Sequence, residues 1–115
     1  MDYVLITMEK INKALRYTEL FLIYGKLLSS TQKEILESYF CYDLSISEIA
    51  LERGVSRAAV EDALQKGIQK LEEYEESLSL LNNRKEILEI IAKLKETALN
   101  PEQIKYLEEI ERRMK

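Results

Sequence analysis

Ser45-Ile46-Ser47-Glu48-Ile49-Ala50-Leu51-Glu52-Arg53-Gly54-Val55-Ser56-Arg57-Ala58-Ala59-Val60-Glu61-Asp62-Ala63-Leu64-Gln65-Lys66-Gly67-Ile68-Gln69-Lys70-Leu71 is the stretch that decides the fold. Ser45 can cap the first backbone N–H groups of a helix, and Glu48, three residues on, reaches back to complete a capping box. Ile46, Ile49 and Ala50 make that helix's buried stripe. Arg53 stands in its last turn, and Gly54 takes the left-handed conformation that closes a helix without a Cβ penalty. Val55 is expected to plug the corner. Ser56 then caps a second helix, whose apolar residues Ala59, Val60, Ala63, Leu64 and Ile68 recur at helical spacing. Two amphipathic helices joined by a short glycine turn predict a helix-turn-helix, the motif that sets its second helix against nucleic acid.

Leu44-Ser45-Ile46-Ser47-Glu48-Ile49-Ala50, Gly54-Val55-Ser56-Arg57 and Ala59-Val60 resemble the promoter-reading end domain of bacterial sigma factors, region 4. With Tyr24-Gly25-Lys26-Leu27-Leu28 upstream and Leu71-Glu72-Glu73-Tyr74-Glu75 downstream, the chain more closely resembles the small YlxM family, from about Glu9 to Lys95. That resemblance implies a sigma-region-4-like helix-turn-helix protein associated with the signal recognition particle pathway. It implies contact with the particle's RNA or its GTPase.

The 115 residues fit one modest core with an appended arm. With 46% hydrophobic and 33% charged residues, one Pro and three Gly, the composition predicts an all-α chain. Residues 1–81 are expected to form the helix-turn-helix domain and residues 82–115 a C-terminal helical arm or dimerisation segment. Residues 1–80 carry nine basic and fourteen acidic side chains, net −5, whereas residues 81–115 carry eight and seven, net +1. The helix-turn-helix half is thus the acidic half, which counts against general DNA binding, since that draws on Lys and Arg neutralising phosphates.

Cys41 is the single cysteine and histidine is absent, so neither a disulfide framework nor a His/Cys zinc site can assemble within one chain. A reducing cytoplasm is the natural setting. Lys10, Lys13, Arg16, Glu19 and Lys26 interrupt the early apolar residues, so no membrane span is expected. No nucleophile with a partnering base and no Gly-rich phosphate loop occurs, so the chain is expected to be no enzyme and to need no cofactor or metal.

In chain order, Met1 to Thr7 precede the YlxM-like region and read as a start-site extension. A first helix is predicted over Glu9 to Leu28, burying Leu20, Phe21, Tyr24, Leu27 and Leu28, with Ile11, Ala14 and Tyr17 on the adjoining stripe. Thr31 and Glu34 read as a capping box opening a second helix, which buries Ile35, Leu36, Tyr39 and Phe40; Cys41 is expected half-buried at its end. The recognition helix is expected to run on past Leu64 through Ile68, Leu71, Tyr74 and Leu78 to Leu81, with Gly67 as a soft spot and Asn82-Asn83 as its bend or end. Glu72, Glu73, Glu75 and Glu76 read as a solvated face. Ile87, Leu88, Ile91, Leu94 and Ala98 resume the pattern. Asn100, Pro101 and Gln103 then open a last helix striped by Ile104, Leu107, Ile110 and Met114. Two striped helices beside a small domain predict a homodimer through the C-terminal helices.

On the recognition helix the groove-facing residues would be Ser56, Arg57, Ala58, Glu61, Asp62, Gln65 and Lys66. Arg57 can contact a phosphate or guanine and Gln65 can pair with adenine, whereas Glu61 and Asp62 repel phosphates. Besides a purely structural dimer, two functional readings stay open. One is an accessory component of the signal recognition particle pathway that binds RNA or protein; the other is a DNA-binding transcriptional regulator.

Overall fold

The computed structural model describes the backbone of residues 2–114 and the side chains of residues 8–114. The expected start-site extension, residues 1–7, lies outside the described side chains. The chain is all-α, with no strand among the described residues, and divides into two compact units, Met1–Leu78 and Ser79–Lys115.

The first unit holds α1 (Asp2–Tyr24), a 3-10 turn (Gly25–Leu27), α2 (Ser30–Phe40), α3 (Ile46–Arg53) and α4 (Arg57–Leu78). Helix α1 starts ahead of Glu9 because neither Gly nor Pro interrupts the chain before Gly25. The cap of α2 is Ser29, in extended conformation with its side chain accepting from the Gln32 N–H at 3.3 Å; the expected Thr31 cap is therefore corrected, since Thr31 lies inside the helix. Ser45 and Glu48 form the capping box of α3, at 3.1 and 3.2 Å.

Gly54 stands at φ 67°, ψ 35°, where its N–H reaches the Leu51 carbonyl and the Val55 N–H reaches that of Ala50. This is a Schellman closure, and it lets α4 leave the corner in a new direction. Ser56 caps α4 by accepting from the Ala59 N–H at 3.1 Å. Helix α4 packs against α1, α2 and α3 and supplies the shared wall of the core. Leu20, Tyr24, Leu36, Ile49, Val60 and Leu71 are fully buried there.

Several expected core positions lie outside it. Val55 is 45% exposed and leaves the corner uncovered, because the Schellman bonds already complete it. Ile11, Ala14, Leu27, Tyr39 and Ala59 are exposed, and Ile46, Tyr17, Ala63 and Ile68 are half-buried. Periodicity marks an apolar face, and the core is narrower than that face. Gly67 is buried against α2, where an added Cβ would meet Leu36 Cδ1 at 2.7 Å. What reads as a soft spot is the place where the Leu36 side chain packs directly on the α4 backbone.

The second unit is an αα-hairpin of α5 (Leu80–Lys95) and α6 (Pro101–Met114). The break before it falls at Ser79, at φ 54°, and the expected bend at Asn82-Asn83 is corrected: both asparagines are helical, and Asn82 donates to Glu86 at 3.2 Å. The spacing of Leu78 and Leu81 carries the apolar rhythm across the break and hides it from the sequence. Asn100 and Gln103 cap α6 reciprocally, at 2.8 and 3.0 Å, and Lys95 pairs with Glu111 across the hairpin. Leu81 and Ile91 are buried, whereas no residue of α6 is.

Two glycine substitutions separate these roles. Gly54→Ala meets open space but a left-handed backbone, and is expected to lower stability by roughly 1–2 kcal/mol. Gly67→Ala gains about 1 kcal/mol of helix propensity but sets a Cβ against the δ-methyls of fully buried Leu36, so overpacking of about 1–3 kcal/mol is expected to win. Urea unfolding of the two variants checks both signs.

Candidate macromolecular interface

The corner and the Ser56 cap fix which side of α4 points outward. Val60, Leu64, Gly67 and Leu71 face the core. Ser56 at the cap and Arg57, Ala58, Glu61, Asp62, Gln65 and Lys66 on the first three turns are all exposed. The structure thus places the expected reading residues along the start of α4, with Ser56 as its cap. Ser56 Oγ accepts the Ala59 N–H as the helix cap and keeps its hydroxyl hydrogen as a donor for a partner.

The electrostatics of this face are nearly balanced. Arg57 and Lys66 stand against Glu61 and Asp62, and Lys66 Nζ lies 2.9 Å from Asp62 Oδ2. Close by in the chain, Arg53 is held at 2.9 Å by Glu34. Exposed pairs of this kind contribute only about 0–1 kcal/mol to stability, yet each cation so engaged must exchange a carboxylate for a phosphate before it can bind nucleic acid. No ion pair involves Arg57 among the described residues, which makes it the face's readiest cation.

Sequence reading missed one polar cluster beside this face. Glu75, expected in a solvated strip with Glu72, is buried and accepts a 2.7 Å hydrogen bond from the Tyr24 hydroxyl. Glu72 takes the Arg16 guanidinium in two bonds, at 2.9 and 2.7 Å, and that hydrogen bonding first, then its charge, raises the Arg16 pKa. A signal was present, because Glu75 falls seven residues after Ile68 on the apolar stripe, opposite a tyrosine able to donate. These groups anchor α1 to α4. Among the described residues, no group of three or more His, Cys, Asp or Glu is placed to hold a metal ion, and no helix is long and apolar enough to cross a membrane.

A family model described as "Putative helix-turn-helix protein, YlxM / p13 like" matches residues 11–110. The chain is 45% identical over 74 residues to a UPF0122 protein of Fusobacterium nucleatum, covering 64% of this chain and 72% of that one. It is 43% identical over 86 residues to a UPF0122 protein of Halalkalibacterium halodurans, covering 75% and 79%. A Bacillus cereus UPF0122 protein is 39% identical over 94 residues, covering 82% and 86%.

Cys41, expected half-buried, is exposed at the end of α2. Local desolvation, and after it the Glu37 carboxylate, nevertheless push its thiol up. Only the thiolate attacks an alkylating reagent, so a raised pKa leaves less of it at neutral pH. Labelling by iodoacetamide at pH 8 is expected to be slower in the folded protein than in urea, to climb as pH rises further, and to quicken in Glu37→Gln. Rates equal in folded and unfolded chains would contradict this.

Proposed function

The chain belongs to the YlxM/p13-like family of helix-turn-helix proteins, and on that premise we propose that it is a non-enzymatic cytoplasmic accessory component of the signal recognition particle pathway. It acts by binding RNA or protein, with the particle's RNA and its GTPase as the partners that the YlxM resemblance implies. The exposed side of α4, from Ser56 to Lys66, is the binding surface. One observation carries the preference for this role over general DNA binding: the four charged residues of that side, Arg57, Lys66, Glu61 and Asp62, sum to no net charge, and Lys66 is already paired. A surface of this kind makes few phosphate contacts and gains little from counterion release.

The DNA-binding regulator is the second reading, favoured by the corner at Gly54 and the outward Arg57 and Gln65. Pull-down from a cytosolic extract, with and without nuclease, tests the two together. Co-purification of particle components that is lost in the Arg57→Glu, Lys66→Glu double variant supports the accessory role. Retardation of duplex DNA that weakens steeply with salt, without particle components, transfers the assignment to DNA.

The hairpin unit, residues 79–115, is assigned to pairing two copies. Ile87, Ile90, Leu94, Ile104 and Ile110 stand exposed on its two helices, an apolar surface that a second copy would cover. Light scattering is expected to give a dimer mass for the native chain and a monomer mass for Ile90→Asp with Leu94→Asp.

A further inference from the structure

Beyond the α4 face, the first unit holds a hollow where its core gives out. Helix α1 turns Tyr24, Phe21 and Leu20 into the core, and steps of three and four residues carry that same side outward through Tyr17, Ala14, Lys13 and Lys10. Over two turns, core-facing positions thus change from aromatic to lysine. Packing alone would continue such a stripe with apolar residues, and a departure of this kind points to a use other than packing.

Lys10, Lys13, Ala14 and Tyr17 of α1 meet Tyr39 and Phe40 at the end of α2, with Ile68 of α4, around an open space of about 320 Å³. Phe40 pairs edge-to-face with Tyr17, ring centroids 6.0 Å apart, and with Tyr39, 5.1 Å apart. Neither tyrosine is stacked face to face on another ring among the described residues, and Tyr39 is 38% exposed. Lys10 and Lys13 enter no ion pair among the described residues, and the lining contains no carboxylate. Glu72, one turn beyond Ile68, is already held by the Arg16 guanidinium, while Asp43 lines the neighbouring groove that shares Ala14, Tyr39 and Phe40.

We infer that this hollow holds an unpaired nucleotide of a single-stranded nucleic acid, its base against the tyrosine rings and the phosphates beside it against Lys10 and Lys13. Every base offers a flat π-face, and aromatic side chains set among lysines hold unpaired strands through those faces. The two lysines stand one helical turn apart on one side of α1, so they can meet successive phosphates. Size argues against a helix as occupant: a helix with its side chains is about 10–12 Å across, whereas the hollow admits a planar ring. A duplex keeps its bases inside the stack, out of reach of a tyrosine face. None of the residues from Ser56 to Lys66 lines the hollow, so this site stands or falls separately from the assignment of the α4 face.

The test uses the full chain and a fluorescent oligoadenylate of about six nucleotides, made as RNA and as DNA, with a blunt DNA duplex for contrast. Anisotropy at low salt is expected to show single strands bound in preference to the duplex, and the ratio of RNA to DNA affinity names the strand that the site takes. Tyr39→Leu removes the flat ring but keeps an apolar side chain, and is expected to weaken binding about five- to a hundredfold, with Tyr39→Phe restoring it. Lys10→Ala with Lys13→Ala is expected to reduce the slope of log affinity against log salt by about 1.4, two phosphate contacts at about 0.7 each. Thermal unfolding controls the fold of every variant. Absence of single-strand binding, equal binding of the duplex, native affinity in Tyr39→Leu or an unchanged salt slope in the lysine variant overturns the inference. So does displacement of the strand by an oligoglutamate at equal concentration, which makes the hollow a site for acidic protein segments. Binding removed by Arg57→Glu with Lys66→Glu but not by Tyr39→Leu gives the strand to the α4 face. Binding that needs Tyr39 without co-purification of particle components keeps the hollow as a nucleotide site and removes the accessory role.

Discussion

The first unit depends on how closely α4 can approach α2. At Gly67 the two helices come near enough that Leu36 fills the space a methyl group would need. Because α4 also packs on α1 and α3, that approach sets the depth at which Val60, Leu64 and Leu71 enter the core. Interiors packed at crystal-like density transmit such a constraint instead of absorbing it. The outward side of α4 is what remains once this inward side is fixed, so the position of Arg57 and Gln65 at the surface follows from a glycine ten residues from Arg57 on the buried side.

Charge and shape speak differently on that surface. Its geometry is that of a helix-turn-helix, with the corner closed at Gly54 and the second helix capped at Ser56. Its charge is close to neutral, on a unit that is acidic as a whole. Shape allows entry into a groove of nucleic acid, whereas the free energy of such binding comes largely from cations meeting phosphates. Long-range attraction of a polyanion would contribute little on such a near-neutral face, and binding there would draw on contact and fit.

Local chemistry was the legible part of the chain. Ser45 with Glu48, Gly54, Ser56, and Asn100 with Gln103 act over three or four residues, and each is found in its expected place. What depends on neighbours distant in the chain was not legible. Glu75 is buried because Tyr24, 51 residues away, supplies a donor. Tyr39 and Ile11 stay exposed because no element covers them among the described residues, although their spacing matches that of buried residues. The helix boundary at Ser79 escaped for a third reason: a single residue in left-handed conformation leaves no mark on a rhythm that Leu78 and Leu81 preserve. Of the α4 surface, exposure could be read from periodicity, but the pairing of Lys66 with Asp62 and of Arg53 with Glu34 could not.

The two-bond clasp between Arg16 and Glu72, with buried Leu20, Phe21 and Tyr24 behind it, makes α1 a cantilever. Its root is bolted to α4 at that guanidinium, and the length from Met8 to Leu15 extends beyond the bolt with every side chain in solvent. A rod held at one end bends and frays from its tip, so amide exchange along α1 should slow residue by residue toward Arg16 while the body of the unit stays closed. Whatever grips the outer length would stiffen the beam without having to rebuild its foundation.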